Sequence, residues 1–342
     1  DREVRFAVRN GGRWNTLAKQ TLDPHARTAT FRLADWAADA DHRYRVSYSL
    51  RTRAGDPVEH HYEGTIRKDP IYKPTVAVAA FTGNGDMGFP NLEIVRNVTQ
   101  HDPDLLFFSG DQLYEGVGGF GIVRKPIGRA SINYLRKWYL LGLSFGDLMR
   151  DRPTICLPDD HDVYQGNVWG AGGKQITEWK RNVYGAVGGY FQSADFVRMV
   201  EATQCAHMPD PFDPTPIEQG IGVCYTQMTY GRIGFAILED RKFKTGPAYL
   251  WPASRTGRVD HVVEKDFDPR SVDREDAVLL GDRQLDFLRA FAKDWQGQDM
   301  KCALSQTIFA NLANEHGPNR QFLAADLDSN GWPQSKRDLA LR

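Results

Sequence analysis

The sequence predicts two folded parts, a small antiparallel β-sandwich of immunoglobulin or fibronectin type over residues 1–72 and an α/β domain over residues 73–342. Three observations lead there. Residues 1–70 carry short segments in which apolar and polar side chains alternate, as strands with one solvated face require. From Thr75 onward, continuous apolar runs alternate with stretches of helical period, the pattern of a sheet covered by helices. Three of those runs pass directly into loops bearing Asp, and ligands in open α/β sheets bind beyond the carboxyl ends of the strands.

Taken in order, VRFAVR, TATFRL, YRVSYSLRT and HHYEGTI read as the sandwich strands, with His60 and His61 in structural or solvent-facing places. Asp69–Pro74 holds two prolines and reads as a linker. Thr75–Phe81 is the first buried strand and feeds TGNGDMG, which offers Asn84 and Asp86. A helix over Asn91–Gln100 is expected, capped by Asn91, with Leu92, Ile94, Val95 and Val98 on its inner side. Leu105–Ser109 is the second strand and leads at once to Asp111 and Tyr114. Ser131–Arg150 reads as a long helix whose aromatics, Trp138, Tyr139 and Phe145, belong to the core. The third strand begins at Thr154 and runs into Asp159, Asp160, His161 and Asp162, with Asn167 beyond. A hairpin turning at Tyr230 and Gly231 delivers Glu239, Asp240 and Arg241. A helix over Gln284–Trp295, the strand CALSQT and the polar loop holding His316 follow. The long loops Gly116–Gly128 and Met208–Gly222 are of the kind that packs around a site.

Composition narrows the class. Lys and Arg number 43 against 44 Asp and Glu, and the isoelectric point is near 6.8, so no nucleic-acid or membrane-surface footprint is present. The apolar runs fall short of the roughly 20 residues of a membrane span, and mean hydropathy is -0.51. The chain opens on DREVRFAV, which reads as the middle of a strand without a leader, so a removed upstream segment is expected. The cysteines lack paired metal-ligand spacing. Cys156 and Cys302 read as buried thiols, and Cys205 and Cys224 could pair if the protein is exported.

Three carboxylates and an imidazole at the end of an apolar strand are costly unless a cation or ligand offsets them. A single Asp after a strand is most often a cap or turn former; three such loops in succession point to a site. Carboxylate and imidazole donors suit Mg, Ca, Mn, Zn or Fe, without choosing among them. Two ions require a bridging carboxylate and separate ligands. Asp111 is the natural bridge, Asp86 with Asn84 would serve one ion and Asp160 the other. Such a pair would lower the pKa of water toward about 7, making hydroxide the nucleophile. His161 would protonate the leaving oxygen or bind a phosphate oxygen, Arg241 would clamp the phosphate, and Asn167 and Tyr114 would orient substrate or water. The alternative for Arg241 is a solvated edge, RKFK; for His316 it is an exposed loop histidine.

The ordered set GDMG, SGDQLY, PDDHD with its following Asn, and LEDRKFK resembles the PhoD-like alkaline phosphatases within the calcineurin-like metallophosphoesterases. LLGDRQLDFLRAF, KCALSQTIF and DLDSNGWPQSKRDLALR extend the resemblance over residues 70–342. The resemblance implies a four-layer αββα domain, a two-metal site in which Asp86, Asp111, Asp160 and His161 take part, a phosphate-ester substrate, and a secreted or periplasmic location. The sequence departs from the family at DDHD, at LEDR, at Thr82–Asn84, which replaces a Ser-Cys turn, and at Gln306, where a histidine is common. A further strand ending in a GDxH motif is expected beyond Arg342. Diesterase or nuclease-like activity on extended substrates, and a secreted binding module with a degenerate site, are the rival expectations.

Overall fold

Alternating burial along the first strand fixes the architecture of the N-terminal region. In β1 (Glu3–Asn10) Val4, Phe6 and Val8 are buried while Arg5 is not, and Ala7, at a register shift after Phe6, is buried as well, so one face is dry and the other is wet over part of its length. The computed structural model describes residues 2–84, 88–177, 185–250, 259–264, 267–309, 318–320 and 327–342. β1 pairs with β2 (Arg13–Thr21) and β3 (His42–Arg51), and β3 with β4 (Pro57–Ile66), all antiparallel in the order β2-β1-β3-β4. This is one sheet where a sandwich of two was expected, and among the described residues no second sheet faces it. TATFRL is not a strand. The Asp23 carboxylate accepts from the backbone of His25 and Ala26 and turns the chain, after which Phe31 lays its ring 5.5 Å from that of Phe6. The segment thus lends side chains to the sheet without pairing, and leaves a cavity of about 800 Å³ against Val4, Phe6, Val46 and Tyr48.

Chain contacts divide the molecule into two compact units. The first comprises residues 1–158, 199–208 and 230–232; the second comprises residues 159–198, 209–229 and 233–342. In the first unit β5 (Val78–Phe81), β6 (Leu105–Phe108) and β7 (Thr154–Cys156) form a parallel sheet in that order. All of β6 is buried, as its continuous apolar sequence requires. Helix α2 (Ile127–Arg150) packs Leu141, Phe145 and Leu148 against Phe81, Leu106, Phe108 and Cys156. Each such side chain contributes about 1.5–3 kcal/mol on burial.

The helix faces differ in part from expectation. In α1 (Leu92–His101) Val95 and Val98 meet that core, but Leu92 and Ile94 face outward; Ile94 stands about 100° around the helix from Val95. Asn91 precedes α1 in the left-handed region and its side chain makes no cap. Tyr139 is exposed, whereas Phe145 is core.

In the second unit, β8 (Thr226–Tyr230), β9 (Ile233–Ile237) and β10 (Met300–Leu304) form a sheet in which β9 is central and parallel to β10. The hairpin turn uses Gly231 and Arg232, both at positive φ, the requirement of a tight two-residue turn between twisted strands. Helix α3 (Ala194–Gln204) runs from the second unit into the first. The short α4 (Asp240–Phe243) follows β9, and α5 (Asp282–Lys293) packs Phe287 and Phe291 on Tyr225, Ala236 and Leu238. Helix α6 (Gln334–Leu341) ends the chain. All four cysteines are free thiols, so the Cys205–Cys224 pairing is not formed; Cys302 is half-buried instead of buried.

Candidate functional site

The parallel sheet of the first unit brings the carboxyl ends of β5, β6 and β7 to one edge. After β5 the chain passes through Gly83 at φ 61°, and after β6 through Gly110 at φ 127° and Asp111 at φ 55°. Two backbone bonds join these loops, Gly83 N–H to Gly110 O at 3.3 Å and Asn84 N–H to Asp111 O at 3.0 Å. The Tyr114 hydroxyl donates to Asp111 Oδ2 at 2.9 Å. Asn84, Asp111 and Tyr114 are therefore gathered at this edge. Asp86 lies outside the described residues.

The Asn84 amide nitrogen is buried and makes no hydrogen bond among the described residues. Beside it is a cavity of about 20 Å³ lined in part by Asn84, Gln112, Tyr114 and Lys137, large enough for one water. Exchanging the two ends of that amide, which have the same shape, would present an oxygen there instead. Among the described residues this polar group is unspent.

In the second unit the DDHD quartet separates into roles. Asp162 is fully buried and accepts the Asp159 N–H at 2.9 Å, so it forms the turn that continues as His161–Val163. The side chain of His161 is 27% exposed against 9% for Asp160, with His161 Nε2 at 4.0 Å from Asp160 Oδ2. His161 is thus the most exposed side chain of the four.

Arg241, the second residue of α4, is buried. It donates from Nε to Val168 O at 3.1 Å, from Nη1 to Asp159 at 3.1 Å and from Nη2 to Asp328 at 2.6 Å, with Asp160 at 3.8 Å. Burial opposes its charge, but Asp159, Asp328 and Asp160 outweigh that and hold its pKa above the ordinary arginine value. The guanidinium expected to grip a phosphate thus holds the carboxylates of the DDHD segment. RKFK is not a solvated edge, since Arg241, Lys242 and Lys244 are all buried. Lys244 Nζ donates to the Asp328 and Asn330 carbonyls at 3.0 and 2.6 Å. Burial, with Arg241 nearby, pushes its pKa down to about 7. Burial raises the Asp328 carboxyl above the usual range, against the pull of Arg241.

The neighbouring carboxylates are engaged by groups of the protein. Asp240 accepts from Ser305 and Thr307, and Glu239 from Cys224 N–H and Lys242. Asn167 Nδ2 donates to Asp260 at 3.4 Å, and Asp260 lies 2.8 Å from His261 Nδ1. Asp260, His261, Lys244 and Asp328 did not stand out in the sequence. Asp328 lies in the DLDSNGW segment and is carried in by the core of Trp169, Leu327 and Trp332, a partnership that local spacing does not display. His316 lies outside the described residues.

The model of the PhoD-like phosphatases matches residues 79–341. The chain belongs to the PhoD-like phosphatase family. This PhoD-like chain is also similar to a solved structure described as "Structure of PhoD", with a TM-score of 0.65 and 16% identity, which shows a shared mixed α/β fold. That match covers 98% of this chain and 60% of the other, so the chain spans about 60% of the length of that relative. No curated protein matches the sequence. PhoD-like phosphatases are metal-dependent, and here Asp111 in the first unit, and Asp160 and His161 in the second, carry donor atoms of metal-ligating type. Carboxylates, an imidazole and the unspent Asn84 amide fit a hard or borderline divalent ion. Among the described residues no helix is long and apolar enough to cross a membrane.

Proposed function

We propose that this PhoD-like chain belongs to a metal-dependent phosphoric ester hydrolase. The observation that carries the reading is the family match over residues 79–341, with Asp111 and Asp160 each lying a few residues past adjacent parallel strands. Asp111, Asp160 and His161, with Asn84 and, outside the described residues, Asp86 and His316, would hold a pair of ions. When bound, the ions supply Lewis acidity toward the phosphoryl oxygens and a water acidified for attack.

The chain's own residues do the rest. The Tyr114 hydroxyl, bonded to one Asp111 oxygen, fixes which lone pairs of that carboxylate remain for ligation. Arg241 bonds Asp159 and stands 3.8 Å from Asp160, so its charge offsets theirs and aligns the two carboxylates. His161, the most open of its neighbours, carries the proton for the leaving oxygen, and Asn167 orients the substrate. Export of the protein is part of this reading and rests on the family alone.

The test is elemental analysis of the purified chain with hydrolysis of p-nitrophenyl phosphate and bis-p-nitrophenyl phosphate before and after chelation. Bound metal with chelator-sensitive turnover is expected, and the preferred ester assigns mono- or diesterase action. No turnover of either ester across a broad metal and pH screen would overturn the proposal.

A further inference from the structure

Gln112 sits between Asp111 and Tyr114 in the loop after β6 and is only 2% exposed. Its side chain is used at every atom. Oε1 accepts the Gly110 N–H at 3.1 Å. Nε2 donates to the Leu157 carbonyl at 2.9 Å and to Gln204 Oε1 at 2.9 Å. Gln204 is fully buried and donates in turn to the Tyr134 hydroxyl at 2.7 Å.

This wiring has one orientation. Reversing the Gln112 amide would set its NH₂ against the Gly110 N–H and its oxygen against the Leu157 carbonyl, two repulsive contacts. The bond to Gly110 spans a backbone that needs holding, because Asp111 lies at φ 55° just after Gly110 at φ 127°. The bond to Leu157 reaches the first residue after β7, three positions before Asp160. One side chain thus ties the Asp111 loop to the root of the DDHD loop, and both ties are dry, where a hydrogen bond is costly to lose.

We propose that Gln112 is a positioning residue that holds the loops after β6 and β7 in register, and thereby sets metal affinity. The inference rests on the phosphoesterase reading above. It touches neither ion nor substrate, and its effect passes through Asp111 and Asp160.

The experiment uses the whole chain and Mn²⁺ as probe, with affinity measured by calorimetry or by electron paramagnetic resonance of free Mn²⁺. Gln112→Met keeps the length of the side chain and removes all three bonds. Mn²⁺ affinity should fall by about ten- to a hundredfold, the usual effect of losing a partner behind a ligand, while kcat at saturating Mn²⁺ falls less than the affinity. Gln112→Glu retains an oxygen for Gly110, and its affinity should lie between those of Gln112→Met and the wild type; it replaces Gln112→Met as the deciding variant if the latter does not fold. Wild-type affinity in the folded variant would overturn the inference and leave the phosphoesterase reading standing. A wild-type chain that neither binds Mn²⁺ nor hydrolyses either ester would overturn both.

Discussion

Arg241 is the residue on which the second unit's charge balance turns. Asp159, Asp160 and Asp328 surround it in a space with little water, and removing one partner from such a group leaves the others uncompensated. Arg241→Met should therefore cost about 3–5 kcal/mol of stability, measurable by urea denaturation. Asp111→Asn should lower kcat/KM for p-nitrophenyl phosphate at least about a hundredfold with little loss of stability, because it removes a ligand and leaves the backbone bonds intact. Lys244 gives a prediction in pH. Its folded pKa near 7 lies below its ordinary value of 10.5, so in that window the unfolded chain carries more protons than the folded one. Stability should rise with pH across the window. The slope should be smaller in Lys244→Met by the share that Lys244 contributes, and equal slopes in the two proteins would refute the assignment. Residues of this kind are hard to read in a sequence. Asp111 and Asp160 announce themselves by following apolar strands, whereas Asp328 and Lys244 acquire their roles from partners more than eighty positions away.

At the scale of elements, α2 does more than cover the sheet. Its buried Lys137 donates to the carbonyls of Glu115 and Gly121, and Asn133 donates to those of Phe120 and Gly121. These bonds dock the glycine-rich loop after Tyr114 on the helix. Lys137→Met should free that loop, seen as faster proteolysis between Gly116 and Arg124, at a cost of about 1–3 kcal/mol for the carbonyls left unmet. The strands of the parallel sheet were legible because a buried strand is a continuous apolar run. α2 begins at Ile127, four residues earlier than its apolar period suggests, since Pro126 can precede a helix without losing a bond. β2 was not anticipated: RWNTLAKQT is polar on both faces and pairs at the edge of the sheet, so its burial pattern carries no alternation to read.

For the whole molecule, the chain first passes from one compact unit to the other between Pro158 and Asp159, inside the segment with the densest charge. No composition shift marks that division, whereas the proline-rich linker near residue 72 is conspicuous and lies within one unit. Charge balance and the ordered motifs conveyed the family; the single N-terminal sheet was beyond them, because alternation along a strand reports one dry face and not what covers it. The free thiols, two in each unit, give the molecule a built-in reporter. Cys302 is the one not fully buried, and burial holds its thiol above the ordinary value, so an alkaline thiol reagent should modify it first and slowly. Cys156 and Cys205 report opening of the first unit and Cys224 that of the second. Mass spectrometry of timed labelling would then rank the opening rates of the two halves in the native sequence, with no probe engineered into either.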